Sequence, residues 1–312
     1  MPAFHPDLAV GRFLPPITHG PRLLTLLSRM PVRGIEIPDD ILVDDVLVPG
    51  ADGAPDVFLR IYRPRSLRTA APALFWIHGG GFILGHPFQD EAANISFART
   101  LGITVAAVRY RLGPKHPSPA AIEDAYAALS WLFAHAEERL IDPTRIAVGG
   151  ASAGGGLAAG LVLYAHDRGE VQPAFQLLVY PMLDDRTVLR TDMNTRHVRV
   201  WTPGSNRYAW TSYLGATPGA PDVSPYAAPA RRADLTGLPP AWIGVGTLDL
   251  FHDEDLAYAD RLQAAGVPCE VVTVPGAFHG FDGMFRRTRV VADFRAAQTK
   301  ALRTALFRAD RA

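Results

Sequence analysis

Apolar residues run along this chain in short blocks, with little alternation. The blocks are Ala73 to Ile77, Thr104 to Val108, Ile146 to Val148, Phe175 to Tyr180, Ala241 to Val245 and Glu270 to Val274. Strands of a parallel sheet read this way when both faces are covered, since neither face meets water. Upstream, Ile41 to Val48 and Val57 to Tyr62 are β-rich. Pro49-Gly50-Ala51-Asp52-Gly53 separates them, which predicts a hairpin. Between the later blocks the period changes to that of a helix. Ser118-Pro119 reads as an N-cap with proline in the first turn. Ile122, Tyr126, Leu129, Leu132 and Phe133 then make one apolar face. Further helices are predicted over Leu157 to Ala165, over Asp253 to Ala265 with Gly266 as the stop, and from about Val290 to Phe307. Strand and helix in alternation predict an open, mostly parallel sheet with helices on both faces.

Two stretches break the pattern. Residues 1 to 40 are irregular, apart from an amphipathic segment from Pro21 to Met30 carrying Leu23, Leu24, Leu26 and Leu27. Packing against the body is the expected role of that stripe. Between Tyr180 and Ala241 there are roughly 60 residues with no good strand, too long for an ordinary connection. They carry Trp201, Tyr208, Trp210, Tyr213 and Tyr226. These aromatics are expected to form the small core of an inserted subdomain. An insertion at the carboxyl edge of such a sheet also covers the place where ligands bind.

Candidate chemistry begins where the third apolar block ends. Gly149-Gly150-Ala151-Ser152-Ala153-Gly154-Gly155-Gly156 joins a strand to a helix and contains Gly-x-Ser-x-Gly at Gly150, Ser152 and Gly154. A turn this sharp strains the backbone at the serine and exposes its hydroxyl. The helix behind it aims free N–H groups and a positive dipole end at the serine. Alone the motif is weak, with a chance expectation on the order of 0.1 at this glycine content. A phosphate cradle is the rival reading, but neither Gly-x-Gly-x-x-Gly nor Gly-x-x-x-x-Gly-Lys-Ser/Thr is present.

A serine hydroxyl needs a base, and the base needs an orienting acid. Gly246-Thr247-Leu248-Asp249 follows one late strand, and Pro275-Gly276-Ala277-Phe278-His279-Gly280 follows the next. The order Ser152, Asp249, His279 is the one the α/β-hydrolase fold uses. His279 is preferred among ten histidines for its place in a glycine-flanked loop after a strand. Asp249 is preferred over Asp253, Glu254 and Asp255, which suit the first turn of the following helix. His78-Gly79-Gly80-Gly81 follows the strand Ala73 to Ile77, with a chance expectation on the order of 0.01. Glycines there let backbone N–H groups approach a developing oxyanion. Gly79, Gly80 and Ala153 are the expected donors, with Gly81 a further candidate.

Composition narrows the classes. The 312 residues carry 31 basic and 31 acidic side chains, so no basic surface for nucleic acid is expected. The one cysteine, Cys269, excludes an internal disulfide. No basic and apolar leader opens the chain and no run of 18 apolar residues occurs, so a cytoplasmic protein without a membrane span is expected.

Together these motifs resemble the hormone-sensitive-lipase family (family IV) of bacterial esterases, within the α/β-hydrolase superfamily. The resemblance covers most of residues 70 to 285. It includes His78-Gly79-Gly80-Gly81, Tyr110-Arg111-Leu112-Gly113-Pro114-Lys115-His116-Pro117, Glu123-Asp124-Ala125, Gly150-Ala151-Ser152-Ala153-Gly154, Asp249 and His279-Gly280-Phe281. It implies a mostly parallel central sheet of about eight strands flanked by helices, with a helical cap. The cap would comprise 1–40 and an insertion at 185–235, and the catalytic domain 41–184 and 236–312. It implies a serine carboxylesterase acting on short- to medium-chain esters, with Ser152, Asp249 and His279 as the triad, no metal and no cofactor. Glu123 and Asp124 would be structural. Ala151 stands where the family usually has Asp or Thr, Leu250 where proline is frequent and Lys115 where Glu is common. The partner expected is a small-molecule ester, and homodimer formation is left open. An amidase or formamidase with the same triad is the alternative, and a non-catalytic small-ligand receptor a more distant one.

Overall fold

The computed structural model describes residues 3–21, 23–24, 33–51 and 53–307. Leu26 and Leu27, and most of the amphipathic segment predicted up to Met30, lie outside them. Eight strands form one sheet: β1 Ile41–Val48, β2 Val57–Pro64, β3 Ala71–Ile77, β4 Thr104–Arg109, β5 Ile141–Ala151, β6 Phe175–Val179, β7 Ala241–Gly246 and β8 Cys269–Val274. The α-helices among the described residues are α1 Glu91–Leu101, α2 Ala120–Ala134, α3 Ala153–Arg168, α4 Pro203–Leu214, α5 His252–Ala264, α6 Phe281–Met284 and α7 Arg289–Leu306. The strand order is β1-β2-β4-β3-β5-β6-β7-β8. β1 and β2 form the predicted hairpin, and β2 also runs antiparallel to β4. From β4 onward every neighbour is parallel.

The apolar runs at β3 to β7 have the cause the sequence suggested, whereas β8, the last strand of the sheet, is buried only at Val274 because nothing among the described residues pairs with its outer edge. In β3, Ala73, Phe75 and Ile77 enter one hydrophobic cluster, while Leu74 and Trp76 enter the other. β7 divides likewise, with Ala241 and Ile243 in the first cluster and Trp242 between them in the second. Ile122 and Leu129 of α2, Leu157 of α3 and Leu262 of α5 cover the first face. Phe97 of α1 and Phe294 and Leu302 of α7 cover the second. A side chain in a strand has to choose one face, and here both faces are core.

Some boundaries differ from the sequence reading. β5 starts at Ile141, earlier than the apolar run, because Asp142-Pro143-Thr144 interrupts that run without ending the strand. Asp142 accepts hydrogen bonds from the Thr144 N–H and the Arg145 guanidinium instead of disrupting the chain. α2 starts at Ala120, with Pro119 itself in the cap position and no side-chain cap. The Ser118 N–H is committed to the Tyr213 carbonyl at 2.6 Å, so that residue serves the contact with α4.

No strand occurs among the described residues between β6 and β7. That interval holds α4 and two short 3₁₀ turns. Its aromatics do not make a core of their own, contrary to expectation. Trp201, Trp210 and Tyr213 join the main cluster. Phe82, just past the glycine run, stacks on Tyr213 with ring centroids 3.9 Å apart, and lies 5.6 Å from Trp210. Tyr226 packs edge-on against Tyr164 of α3. The insertion is therefore one body with the loop that follows β3.

Candidate active site

Ser152 sits between β5 and α3 with φ +58° and ψ −124°. That region is sparsely populated by residues with a side chain and carries a cost of about 1–3 kcal/mol. Backbone bonds on all sides hold it. Its N–H donates to Val179 O at 2.8 Å, and its carbonyl accepts from Gly156 N–H at 3.0 Å and Met182 N–H at 3.1 Å. The motif glycines are required by close approach. A Cβ at Gly154 would overlap the carbonyl oxygens of Ile77 and His78, and one at Gly150 the carbonyl of Gly154. Strand β3 and the first turn of α3 are thus in backbone contact, which puts the glycine run beside the serine.

The loops after β7 and β8 are stitched to each other. Leu248 N–H donates to Ala277 O at 2.9 Å, and Gly276 N–H to the Thr247 hydroxyl at 2.8 Å. This stitching carries Asp249 and His279 to the same sheet edge as Ser152. His279 Nε2 lies 2.9 Å from Ser152 Oγ. His279 Nδ1 lies 2.8 Å from Asp249 Oδ2. A carboxylate only accepts, so Nδ1–H donates to Asp249 and Nε2 receives the serine hydroxyl. The second carboxylate oxygen accepts the Phe251 N–H at 3.0 Å. All three residues are nearly enclosed, at 7%, 6% and 5% exposure for Ser152, Asp249 and His279. Phe251 and Tyr180 meet the imidazole edge-on at 5.2 and 4.8 Å.

The rival carboxylates are engaged elsewhere or lack such a partner. Asp253 is exposed and pairs with Arg190 at 2.9 Å. Glu254 accepts the N–H groups of Leu183 and Asp184 at 2.7 and 3.1 Å and the Thr187 hydroxyl, fastening the start of the insertion to α5. Asp255 is buried with no hydrogen-bond partner among the described residues, and burial raises its pKa well above the ordinary carboxylate range. Asp124 takes a structural position, gripping the Arg111 backbone N–H at 2.8 Å and its guanidinium at 2.9 Å.

Gly79 lies against Ser152, where a Cβ would meet the Ala151 carbonyl and the Ser152 Cβ, and Gly80 and Gly81 follow it. Gly80 has φ +120° and Gly81 φ +60°, and a Cβ at Gly80 would overlap the Leu84 carbonyl. As the first residue of α3, Ala153 has an N–H with no partner in its own helix. His78 does not face the serine. Its ring stacks on Tyr110 at 4.4 Å, and Nδ1–H donates to the Gly79 carbonyl at 2.8 Å, which fixes the orientation of the next peptides.

Burial lowers the His78 pKa to about 4. The folded state therefore refuses a proton that the unfolded chain accepts once the pH falls below about 6.5. Stability supplied by neutral His78 is complete above that pH and is lost as the pH falls toward 4, by up to about 3 kcal/mol. Thermal unfolding between pH 7 and 4 should show the decline. His78→Gln, which cannot titrate, should show a shallower one.

Two contributors were not singled out from the sequence. Tyr180 closes β6 with φ +37°, and its hydroxyl donates to Asp282 Oδ1 at 2.6 Å. Burial keeps this phenol protonated. The bond ties the His279 loop to the strand beside Ser152. His19, from the N-terminal segment, stacks on Trp201. The place of Tyr180 as the last residue of an apolar run was the only signal for the first, and nothing local signalled the second.

A family model described as alpha/beta hydrolase fold matches residues 74–283. The carboxylesterase NlhH of Mycobacterium tuberculosis is 34% identical over 270 residues, covering 82% of this chain and 81% of its own. The esterase LipI of the same organism is 36% identical over 264 residues, covering 82% and 78%. Among solved structures, a bacterial heroin esterase superposes with a TM-score of 0.87 at 39% identity, covering 97% of this chain and 98% of its own.

Proposed function

The chain belongs to the alpha/beta hydrolase family, and from that premise we propose that it is a serine carboxylesterase acting on short- to medium-chain carboxylic esters. The observation that carries this reading is the hydrogen-bonded line from Ser152 Oγ through His279 to Asp249, at 2.9 and 2.8 Å. The names of its relatives as carboxylesterase and esterase agree with it.

The chemistry follows from the geometry. Ser152 Oγ attacks the ester carbonyl while His279 Nε2 takes the hydroxyl proton. The carbonyl oxygen becomes an oxyanion and is held by the N–H groups of Gly79, Gly80 and Ala153, with Gly81 in reach of the same edge. Each such donor is worth about 2.7–4 kcal/mol of transition-state stabilisation. The tetrahedral intermediate collapses, the C–O bond to the alcohol breaks, and His279 returns the proton to the leaving oxygen. Water then enters, loses a proton to His279, and releases the acid and free Ser152 by the same steps. Asp249 holds the Nδ1–H tautomer throughout and stabilises the imidazolium.

The segments 1–40 and 185–235 act as the cap in this reading. Thr18 meets Thr202 at 3.1 Å and the His19 N–H reaches Ser205 at 2.8 Å, so the two segments hold each other. Steady hydrolysis of p-nitrophenyl acetate and butyrate, with the matched p-nitroanilides turned over at least a hundredfold more slowly, is the expected result. Anilides cleaved as fast as esters, or no ester turnover, would overturn the assignment.

A further inference from the structure

Trp201 follows a turn that few residues adopt. Val200 has φ +66°, and the Trp201 N–H donates across it to the Arg199 carbonyl at 2.7 Å. A bond from residue i to i+2 around a positive φ is the strained form of the γ-turn. A β-branched residue at its centre persists only where the surroundings hold it there. The surroundings of the indole do so. His19 stacks on it with ring centroids 5.4 Å apart and planes at 29°. His19 is itself fixed by the Ser205 hydroxyl, which meets its N–H at 2.8 Å and its Nδ1 at 3.1 Å. The indole N–H donates to Asn206 Oδ1 at 3.3 Å. The outer edge of the ring rests on Gly81 so closely that any Cβ at that position would overlap it. Its centroid is 6.3 Å from that of His279. One ring is therefore wedged between the last glycine of the run after β3 and the imidazole.

We propose that Trp201 is the specificity-determining residue for the alcohol portion of the ester, limiting the bulk of the alkoxy group. This rests on the ester-hydrolase reading of the same site. The leaving oxygen must come within hydrogen-bond reach of His279 Nε2 to receive its proton. The carbon attached to that oxygen therefore begins beside the imidazole, where Trp201 stands. An indole fixed there leaves room for a compact alkoxy group and collides with a broad aromatic one. The strained turn at Val200 points the ring inward, and the bare Cα of Gly81 lets it come so near.

The test is a series of acetate esters of methanol, butanol, benzyl alcohol and 1-naphthalenemethanol, followed by titration of released acid. Trp201→Ala should raise kcat/KM for the naphthylmethyl ester, relative to methyl acetate, by roughly 10- to 100-fold. Trp201→Phe keeps a ring on the same turn but is smaller and lacks the indole N–H bonded to Asn206. It should move the same ratio in the same direction by a smaller factor, with a single cooperative unfolding transition showing that the fold is retained. It therefore decides the matter even if Trp201→Ala fails to fold. An unchanged ratio in the folded variants would refute the proposal. So would a shift that appears only when the acyl chain is varied at a fixed alcohol. In either case the parent still hydrolyses methyl acetate, whereas a parent with no ester turnover at all refutes the ester-hydrolase reading itself.

Discussion

Replacing Ser152 by alanine is expected to lower kcat on p-nitrophenyl acetate by about 10⁵ to 10⁶-fold while leaving the fold intact. Among the described residues the hydroxyl has one side-chain partner, His279 Nε2 at 2.9 Å. Its loss removes the nucleophile and leaves every backbone bond around residue 152 in place. A remainder of about 10³ to 10⁴ over water should persist, since the N–H groups of the oxyanion edge still act on a bound ester. The strain at this position gives a second readout. Alanine inherits the φ of +58°, which glycine adopts without penalty. Ser152→Gly should therefore be as inactive as Ser152→Ala but more stable than it by about 1 kcal/mol. Activity retained within tenfold of the parent in either variant would mean that another group attacks the ester. Equal stability of the two would mean that the turn stores no strain.

Much of this fold is visible in the sequence because its inner strands, such as β3 and β7, are covered on both faces. Ala73 to Ile77 and Ala241 to Val245 read as strands for the same reason that they fold as strands: no residue in them has to face water. The site is visible because the constraints on it are steric and local. Gly150 and Gly154 are dictated by backbone atoms that a Cβ would strike, so their spacing survives as a motif. Asp249 was a weaker inference, one of four nearby carboxylates, and only the stitching of two loops separates it from Asp253 and Glu254. Trp201 was legible as an aromatic but not as part of the site. What aims it is a φ angle at Val200 and a histidine 182 positions earlier in the chain, and neither leaves a periodic trace. The start of α2 was misplaced for a similar reason, since Ser118 is held by a carbonyl of the insertion.

Asp249→Asn is expected to cost about 10⁴-fold in kcat, even though asparagine has nearly the same shape. The reason lies in which oxygen does what. Asp249 Oδ1 accepts the Phe251 N–H at 3.0 Å, and Oδ2 accepts His279 Nδ1–H at 2.8 Å. An asparagine has one acceptor and one donor to set against these two donors. If its carbonyl keeps the Phe251 bond, its NH₂ faces His279 and forces Nδ1 to become the acceptor. The ring proton then moves to Nε2, which points at Ser152 and can no longer take the hydroxyl proton. If the amide turns the other way, the NH₂ meets the Phe251 N–H, and two buried donors oppose each other at a cost of about 1–3 kcal/mol. Either outcome removes the base, through tautomer or through distorted loop. Asp253→Ala is the control, because that carboxylate is exposed and bound to Arg190. Its kcat should stay within about twofold of the parent, as exposed ion pairs contribute at most about 1 kcal/mol. Equal losses in the two variants, measured with burst kinetics to isolate acylation, would show that the orienting carboxylate is not the one bonded to His279.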